Sequence, residues 1–324
     1  MRALVTGIDG FVGGFLARAL LARGAAVYGT VRTAGRRARL RDLVTQGLRE
    51  PDVHAVDVEH AGAVEAAVAA VQPDALFHLA GLAFIPAAAA NPSAAFRTNA
   101  LGALHVLAAV QRHAPRCRVL IVGSADAYGA VRSEELPVRE DCPLRPVSAY
   151  GASKAAADLL AAQWARGMDL DVVRVRPFNH TGPGQRAVFV CADFARQLVA
   201  IERGARPPRL EVGDLEPVRD FTDVRDVVAA YLAACERGTA GEAYNVCSGV
   251  GRSIASVLAD LVAEAGVRVE IATVHDRVRP NRIPRLIGTA AALCAATGWE
   301  PRIPWPQTVA DLIAYERALA SGAA

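Results

Sequence analysis

The chain has 324 residues, enough for one large domain or two smaller ones, and its 52% hydrophobic share is that of a protein with a substantial core. A formal net charge of +3 gives no bulk electrostatic reason to expect nucleic acid or a membrane surface as partner. The six cysteines have no CxxC spacing, which argues against a disulfide framework or a zinc site; no metal is expected. No apolar run is long and charge-free enough to span a membrane, and Met1 leads into a strand-like segment without a signal-peptide pattern. The expectation is a cytoplasmic protein with reduced thiols.

In chain order, residues 2–6 form a short apolar run with β-branched residues, followed by Gly7-Ile8-Asp9-Gly10-Phe11-Val12-Gly13-Gly14. Apolar residues at helical spacing then run to a glycine stop at Gly24, and AAVYGTVR gives a second strand. Strand, glycine-rich turn, helix and strand is the opening of a dinucleotide-binding unit. Gly7 suits the tight turn, Gly10 lets backbone approach a pyrophosphate, and Gly13 allows close helix packing. Asp9, Phe11 and Val12 lie among them as further cofactor contacts. The helix N-terminus faces the anion.

The second strand ends Gly29-Thr30-Val31-Arg32, with Arg36 and Arg37 soon after. An NAD-preferring site usually carries a carboxylate there. Arg32 is suited to a 2′-phosphate, so NADP(H) is favoured and NAD(H) left open; a solvated basic loop is the plainer alternative.

The alternation continues with a strand over 52–58, where Asp57 and Val58 meet the adenine end. A helix follows over 61–71, then a strand over 74–81 whose end, Leu79-Ala80-Gly81, lets the cofactor lie on backbone. A long helix is predicted from Pro92 to His113, carrying Asn99 in its first turns. Residues 118–124 form a fifth strand that ends at Ser124, and 171–177 a sixth. This pattern predicts an α/β fold, a Rossmann-like doubly wound parallel sheet, with a smaller C-terminal α/β substrate-binding domain. The boundaries read as 1–176, with 222–247 returning to the sheet, against 177–221 and 248–324.

Between the fifth and sixth strands, a helical pattern from Val147 to Arg166 carries Tyr150-Gly151-Ala152-Ser153-Lys154. Residues four apart share a helix face, so Tyr150 and Lys154 point the same way. A free phenol has a pKa of about 10, and a neighbouring ammonium is expected to lower it. The pair is then a proton shuttle or, more plainly, a surface pair. Lys154 is the only lysine in the chain.

Gly7/Gly10/Gly13, Asn99, Ser124, Tyr150 and Lys154 together resemble the extended short-chain dehydrogenase/reductases, also called the NAD-dependent epimerase/dehydratase family. The resemblance covers essentially the whole chain. It implies that Tyr150 is the acid-base residue, that Lys154 tunes it and holds the nicotinamide ribose, and that Ser124 binds the reacting oxygen. Donors there would stabilise alkoxide character while the cofactor delivers hydride. Within that group, Arg174 to Gln185 and Val212 to Val227 are similar to stretches of the GDP-6-deoxy-4-keto-D-mannose reductases, while Thr297-Gly298-Trp299-Glu300-Pro301 is general to nucleotide-sugar enzymes. The resemblance implies that Asn179, Arg219 and Arg279 hold sugar or diphosphate. His180 reads as a residue that orders its loop.

Asp126 stands where the related 4,6-dehydratases carry a catalytic glutamate, and it is kept as a fourth catalytic candidate. Arg279-Pro280-Asn281-Arg282 and Thr289 depart from the reductase pattern. The expected activity is NADPH-dependent reduction of the C4 ketone of a 4-keto-6-deoxy nucleotide sugar, with GDP-4-keto-6-deoxy-D-mannose giving a GDP-D-rhamnose-type product. The alternatives are a self-recycling 4-epimerase or 4,6-dehydratase and, in another class, a non-catalytic NADP-binding protein. The resemblance also implies a homodimer paired through helices 94–112 and 147–166.

Overall fold

The computed structural model describes residues 1–34, 40–49, 52–274, 277 and 283–322. The chain opens with β1 (Arg2–Thr6), in which every residue after Arg2 is buried. A continuous apolar strand is what a parallel sheet covered on both faces requires. There follow α1 (Phe11–Ala22), β2 (Ala26–Val31), α2 (Arg41–Thr45), β3 (Val53–Ala55), α3 (Ala61–Val71) and β4 (Ala75–His78). Next come α4 (Ile85–Ala90), α5 (Pro92–Phe96), α6 (Gly102–His113), β5 (Arg118–Val122), α7 (Ala149–Gly167) and β6 (Val172–Pro177). Beyond these lie β7 (Asn179–Thr181), α8 (Val190–Glu202), β8 (Arg209–Val212), β9 (Val218–Asp223), α9 (Val224–Arg237) and β10 (Ala243–Val246). The chain closes with β11 (Gly251–Ser253), α10 (Ile254–Ala265), β12 (Glu270–Thr273), β13 (Arg285–Leu286), α11 (Ala291–Thr297) and α12 (Trp305–Ala320).

Seven strands form one sheet in the order β10-β6-β5-β4-β1-β2-β3, with every neighbouring pair parallel. The chain winds outward from β1 to β3 and then returns to lay β4 on the other side of β1. Ligands of doubly wound sheets bind at such a reversal, outside the carboxyl ends of the strands. One apolar layer packs α1, α9 and α11 on one face, through Leu16, Leu20, Val227, Tyr231 and Leu293. The opposite layer uses Val64 and Val68 of α3, Val106 and Val110 of α6, and Ala161 of α7.

A separate core, with Phe194, Leu198, Phe221, Leu258 and Ile313, gathers α8, α10 and α12. Around it lie a small sheet with β9 at its centre, flanked by β11, β13 and β7, and the β8–β12 pair. The Thr297–Pro301 turn is fixed to α9. Trp299 Nε1 donates to the Asp226 carbonyl at 3.1 Å, and Asp226 Oδ2 accepts from the N–H groups of Arg302 (3.0 Å) and Ile303 (2.8 Å).

Two expectations are corrected. The third strand, Val53–Ala55, is shorter than 52–58, and Asp57 follows it outside the strand. The helix predicted from Pro92 to His113 is interrupted by a π-turn over Arg97–Leu101. Two short strands that the sequence pattern did not single out are β7, just after Pro177, and β9 over Val218–Asp223. β9 hides from a periodicity search because its buried positions include Asp220, Thr222 and Asp223. Asp220 is satisfied by hydrogen bonds from Ser248, Gly249 and Gly288, and Asp223 by Arg225 and Thr308.

Candidate active site

The glycine turn closes against the sheet, with the N–H groups of Gly7 and Ile8 both donating to the Thr30 carbonyl (3.0 and 3.1 Å). Gly7 has φ +69°, and a Cβ there would lie 3.0 Å from the backbone of Ala80. A Cβ on Gly13 would lie 2.4 Å from the Gly7 carbonyl oxygen. Gly10 caps α1 with no side-chain hydrogen bond, beside Asp9, Phe11 and Val12. The first N–H groups of a helix have no intrahelical acceptor and suit an anion.

Arg32 lies exposed just past β2. Asp57 accepts the Glu59 N–H at 3.1 Å, and Val58 is buried. At the end of β4, the Thr6 hydroxyl accepts the Ala80 N–H (3.1 Å) and bonds His78 Nδ1 (2.9 Å). Burial, and then the Lys154 ammonium, push the His78 pKa down to about 3. The imidazole is therefore neutral, its Nδ1 paired with the Thr6 hydroxyl, and the Leu79–Gly81 backbone is pinned beside the glycine turn.

The π-turn explains how Asn99 reaches the site. Its Oδ1 accepts the Leu82 N–H at 2.8 Å, and its Nδ2 donates to the Leu82 carbonyl (3.1 Å) and to Ser153 Oγ (2.9 Å). Ser153 Oγ donates to the Tyr150 carbonyl at 2.8 Å. Asn99 thus ties the strand-end loop to the helix that carries the phenol, a common use of π-turns at functional sites. A Cβ on Gly81 would lie 2.9 Å from Asn99 Oδ1 and 3.5 Å from Lys154 Nζ, so glycine keeps that gap open.

α7 starts at Ser148, whose hydroxyl accepts the Gly151 N–H at 3.0 Å. Tyr150 and Lys154 are 9% and 8% exposed. Lys154 Nζ donates to the Val122 carbonyl at 2.8 Å, and burial lowers its pKa to about 8. Here the structure reverses an expectation. Burial raises the Tyr150 pKa, and the Asp126 charge adds to this, while a hydrogen bond with Ser124 acts the other way. The ammonium is turned to the Val122 carbonyl instead of the phenol oxygen. A phenol held above its usual pKa keeps its proton at neutral pH and serves as a donor.

Ser124, at the carboxyl end of β5, caps a single 3₁₀ turn: its Oγ accepts the Asp126 N–H at 3.1 Å and donates to Asp126 Oδ2 at 3.3 Å. Burial raises the Asp126 pKa, with the Arg219 guanidinium opposing. Arg219, on β9, reaches across from the small sheet and donates to the Val218 carbonyl at 2.9 Å. The structure therefore brings Ser124, Asp126, Tyr150, Lys154 and Arg219 to one crevice. Asn179 is exposed at the start of β7. His180 Nδ1 donates to the Phe178 carbonyl at 3.0 Å, and its ring lies parallel to Phe11 with centroids 6.3 Å apart. Arg279, with Arg36, Arg37 and Arg282, lies outside the described residues. Among the described residues no cluster of His, Cys, Asp and Glu could hold a metal ion.

Sequence reasoning missed Ser153 and the Thr6–His78 pair. The histidine inside the apolar run 75–80 was the available signal, because a buried imidazole needs a partner.

The glycine cradle fits a dinucleotide pyrophosphate, and Ser124 with Tyr150 fits a substrate oxygen. Residues 4–312 match the family described as GDP-mannose 4,6 dehydratase. A GDP-6-deoxy-D-mannose reductase from Pseudomonas aeruginosa is 39% identical over 241 residues, 74% of this chain and 79% of the relative. A UDP-glucose 4-epimerase from Mycolicibacterium smegmatis is 28% identical over 322 residues, 98% of this chain and 99% of its own. Among solved structures, RMD from Pseudomonas aeruginosa, complexed with NADPH, superposes with a TM-score of 0.85 at 34% identity, covering 98% of this chain and 99% of that one. A match running from the first strand into the last helix leaves one assignment: the chain belongs to the GDP-mannose 4,6 dehydratase family and has the extended short-chain dehydrogenase/reductase fold.

Proposed function

We propose that the protein reduces the C4 ketone of a 4-keto-6-deoxy nucleotide sugar. The preferred substrate is GDP-4-keto-6-deoxy-D-mannose, the product a GDP-deoxyhexose of the GDP-D-rhamnose type. The observation that carries this reading is a buried phenol, held above its usual pKa, brought together with Ser124 at the carboxyl edge of the sheet. The 39% identity to a GDP-6-deoxy-D-mannose reductase supports the choice of sugar.

In this reading Gly7, Gly10, Gly13 and the start of α1 hold the pyrophosphate, and Asp57, Val58 and Leu79–Gly81 line the adenine and ribose side. Arg32 supports NADP(H) over NAD(H). When bound, NADPH supplies the hydride. Ser124 Oγ donates to the ketone oxygen, and Tyr150 gives its proton to that oxygen as alkoxide character develops. Lys154 stabilises the phenolate left behind and binds the nicotinamide ribose. Arg219 and Asn179 hold sugar or diphosphate, and Arg279 is assigned to the diphosphate. Residues 1–176 and 222–247 serve as the cofactor half, 177–221 and 248–324 as the substrate half. Purified protein, NADPH and GDP-4-keto-6-deoxy-D-mannose should lose NADPH absorbance in step with substrate; no loss defeats the reading.

Asp126 favours a second reading, a self-recycling dehydratase or epimerase, because a carboxyl with a raised pKa beside Ser124 can carry a proton. Asp126→Asn should leave a reductase with activity within about tenfold of wild type, whereas loss of a general acid or base costs roughly 10²–10⁴.

We also infer a homodimer paired through the helical segments over 94–112 and 147–166. Phe96, Leu101 and Leu159 are 41%, 44% and 61% exposed there. Light scattering should give twice the chain mass. No helix among the described residues is long and apolar enough to cross a membrane, and the six thiols are unpaired, which supports a reducing compartment such as the cytoplasm.

A further inference from the structure

Tyr150, Lys154 and Asp158 recur every four residues on α7 and share one face of it. The first two belong to the crevice. Asp158 is 1% exposed and turns to the sheet, where it meets two buried arginines of β6. Arg176 grips it in a fork, Nε to Oδ2 and Nη2 to Oδ1, both at 2.9 Å. Arg174 Nη1 adds a bond to Oδ1 at 2.6 Å.

The fork continues towards Ser124. Arg176 Nη1 donates to the Tyr128 hydroxyl at 2.9 Å, the guanidinium lies 5.1 Å from the Tyr128 ring centroid, and that hydroxyl donates to Asn245 Oδ1 at 2.7 Å. Tyr128 belongs to the turn that Ser124 opens, with the Ala127 N–H on the Ser124 carbonyl and the Tyr128 N–H on the Ala125 carbonyl. A Cβ on Gly123 would lie 3.5 Å from Asp158 Oδ2, so the residue before Ser124 runs close beside the same carboxylate. One unbroken set of buried bonds therefore runs from the helix of Tyr150 to the turn of Ser124. Replacing a buried charge cluster with well-packed apolar side chains is often neutral or stabilising. Packing alone gives no reason for this one.

We propose that Asp158, Arg176 and Tyr128 are positioning residues that set the separation of Ser124 and Tyr150. The inference rests on the proposed function, in which those two hydroxyls act on one ketone oxygen.

The test is a double-mutant cycle of Tyr128→Phe with Ser124→Ala, read as kcat, KM and NADPH affinity. Tyr128→Phe keeps the ring under Arg176 and removes one hydroxyl. In the Ser124 background kcat should fall on the order of tenfold or more, since small misplacements of reacting groups carry penalties of that size. KM and NADPH affinity should stay within about twofold, because their contacts are elsewhere. In the Ser124→Ala background Tyr128→Phe should change kcat by less than about twofold. Arg118→Met is the comparison for stability. It removes a partly buried arginine at the opposite end of β5, bonded to Asp171 and to the Cys235 and Gly238 carbonyls, and should lower the melting point without lowering kcat.

Where Tyr128→Phe does not fold, Asn245→Ser, which withdraws the acceptor of the Tyr128 hydroxyl, takes its place in the cycle. Additive effects in an active enzyme overturn the positioning role alone. A wild-type protein that oxidises no NADPH with the keto sugar overturns the functional reading, and this inference with it.

Discussion

The two sides of the crevice hold their polar groups by different means. On the sheet side Asn99 is 2% exposed and bonded to Leu82 and Ser153, and Ser124 is 6% exposed and bonded to Asp126 in its own turn. On the far side Arg219 is half-buried with its guanidinium on the Val218 and Pro284 carbonyls, and Asn179 is exposed. Groups that are buried and already bonded need little reorganisation when charge develops in a transition state. Groups that are partly solvated can adapt to a large ligand. In the proposed function the sheet side serves the chemical step, and the far side holds the nucleotide sugar.

Substitutions should separate along that line. The largest effect belongs to Tyr150→Phe: loss of the proton donor should cut kcat by roughly a thousandfold. NADPH binding, read by fluorescence titration, should hardly change. A fall in affinity with kcat retained would break the comparison. Arg219→Gln should act on the other side, losing a charge-assisted contact of about 1.5–3 kcal/mol, or roughly ten- to a hundredfold in kcat/KM, carried mainly by KM. Steady-state kinetics decides between that and a kcat effect.

The smallest effect on turnover near neutral pH, one that shows in stability instead, is acid lability of the sheet side. His78 has a folded pKa of about 3 against an ordinary 6.5. Between those values the unfolded chain binds a proton that the folded chain refuses, so the His78 contribution is intact above pH 6.5 and is lost as pH falls towards 3. The slope approaches about 1.4 kcal/mol per pH unit well inside that window. Asp126, Asp220 and Asp226, whose pKa values burial raises, act in the opposite sense. The measurement is therefore the difference in melting point between wild type and His78→Gln: the gap between the two should change steadily below pH 6.5 and stay flat above it.

The same division explains what the sequence made legible. Gly7, Gly10 and Gly13 are read locally, because a tight turn, a backbone approach and a helix contact each demand glycine within one short segment. Tyr150 and Lys154 are read from helix spacing. Their surroundings were not legible. The rise in the Tyr150 pKa comes from burial and from Asp126, and the turn of Lys154 towards Val122 comes from a strand 32 residues away in sequence. Asn99 was assigned to an ordinary helix because a π-turn is stabilised by where the side chain goes, to Leu82 and Ser153, and not by helix propensity. β9 escaped because its interior is built from aspartate and threonine with distant partners. Interactions closed by distant segments leave little trace in local periodicity.

The account turns on one claim, that Tyr150 and Ser124 serve a net hydride transfer to C4 of the sugar. The most direct measurement uses NADPH deuterated at the nicotinamide C4 with GDP-4-keto-6-deoxy-D-mannose, followed by NMR of the product. One deuterium at C4 of the deoxyhexose for each NADPH consumed is the predicted result. Converted sugar without deuterium and without net loss of NADPH would contradict it, and would make the chain a cofactor-recycling enzyme in which Asp126 carries the proton.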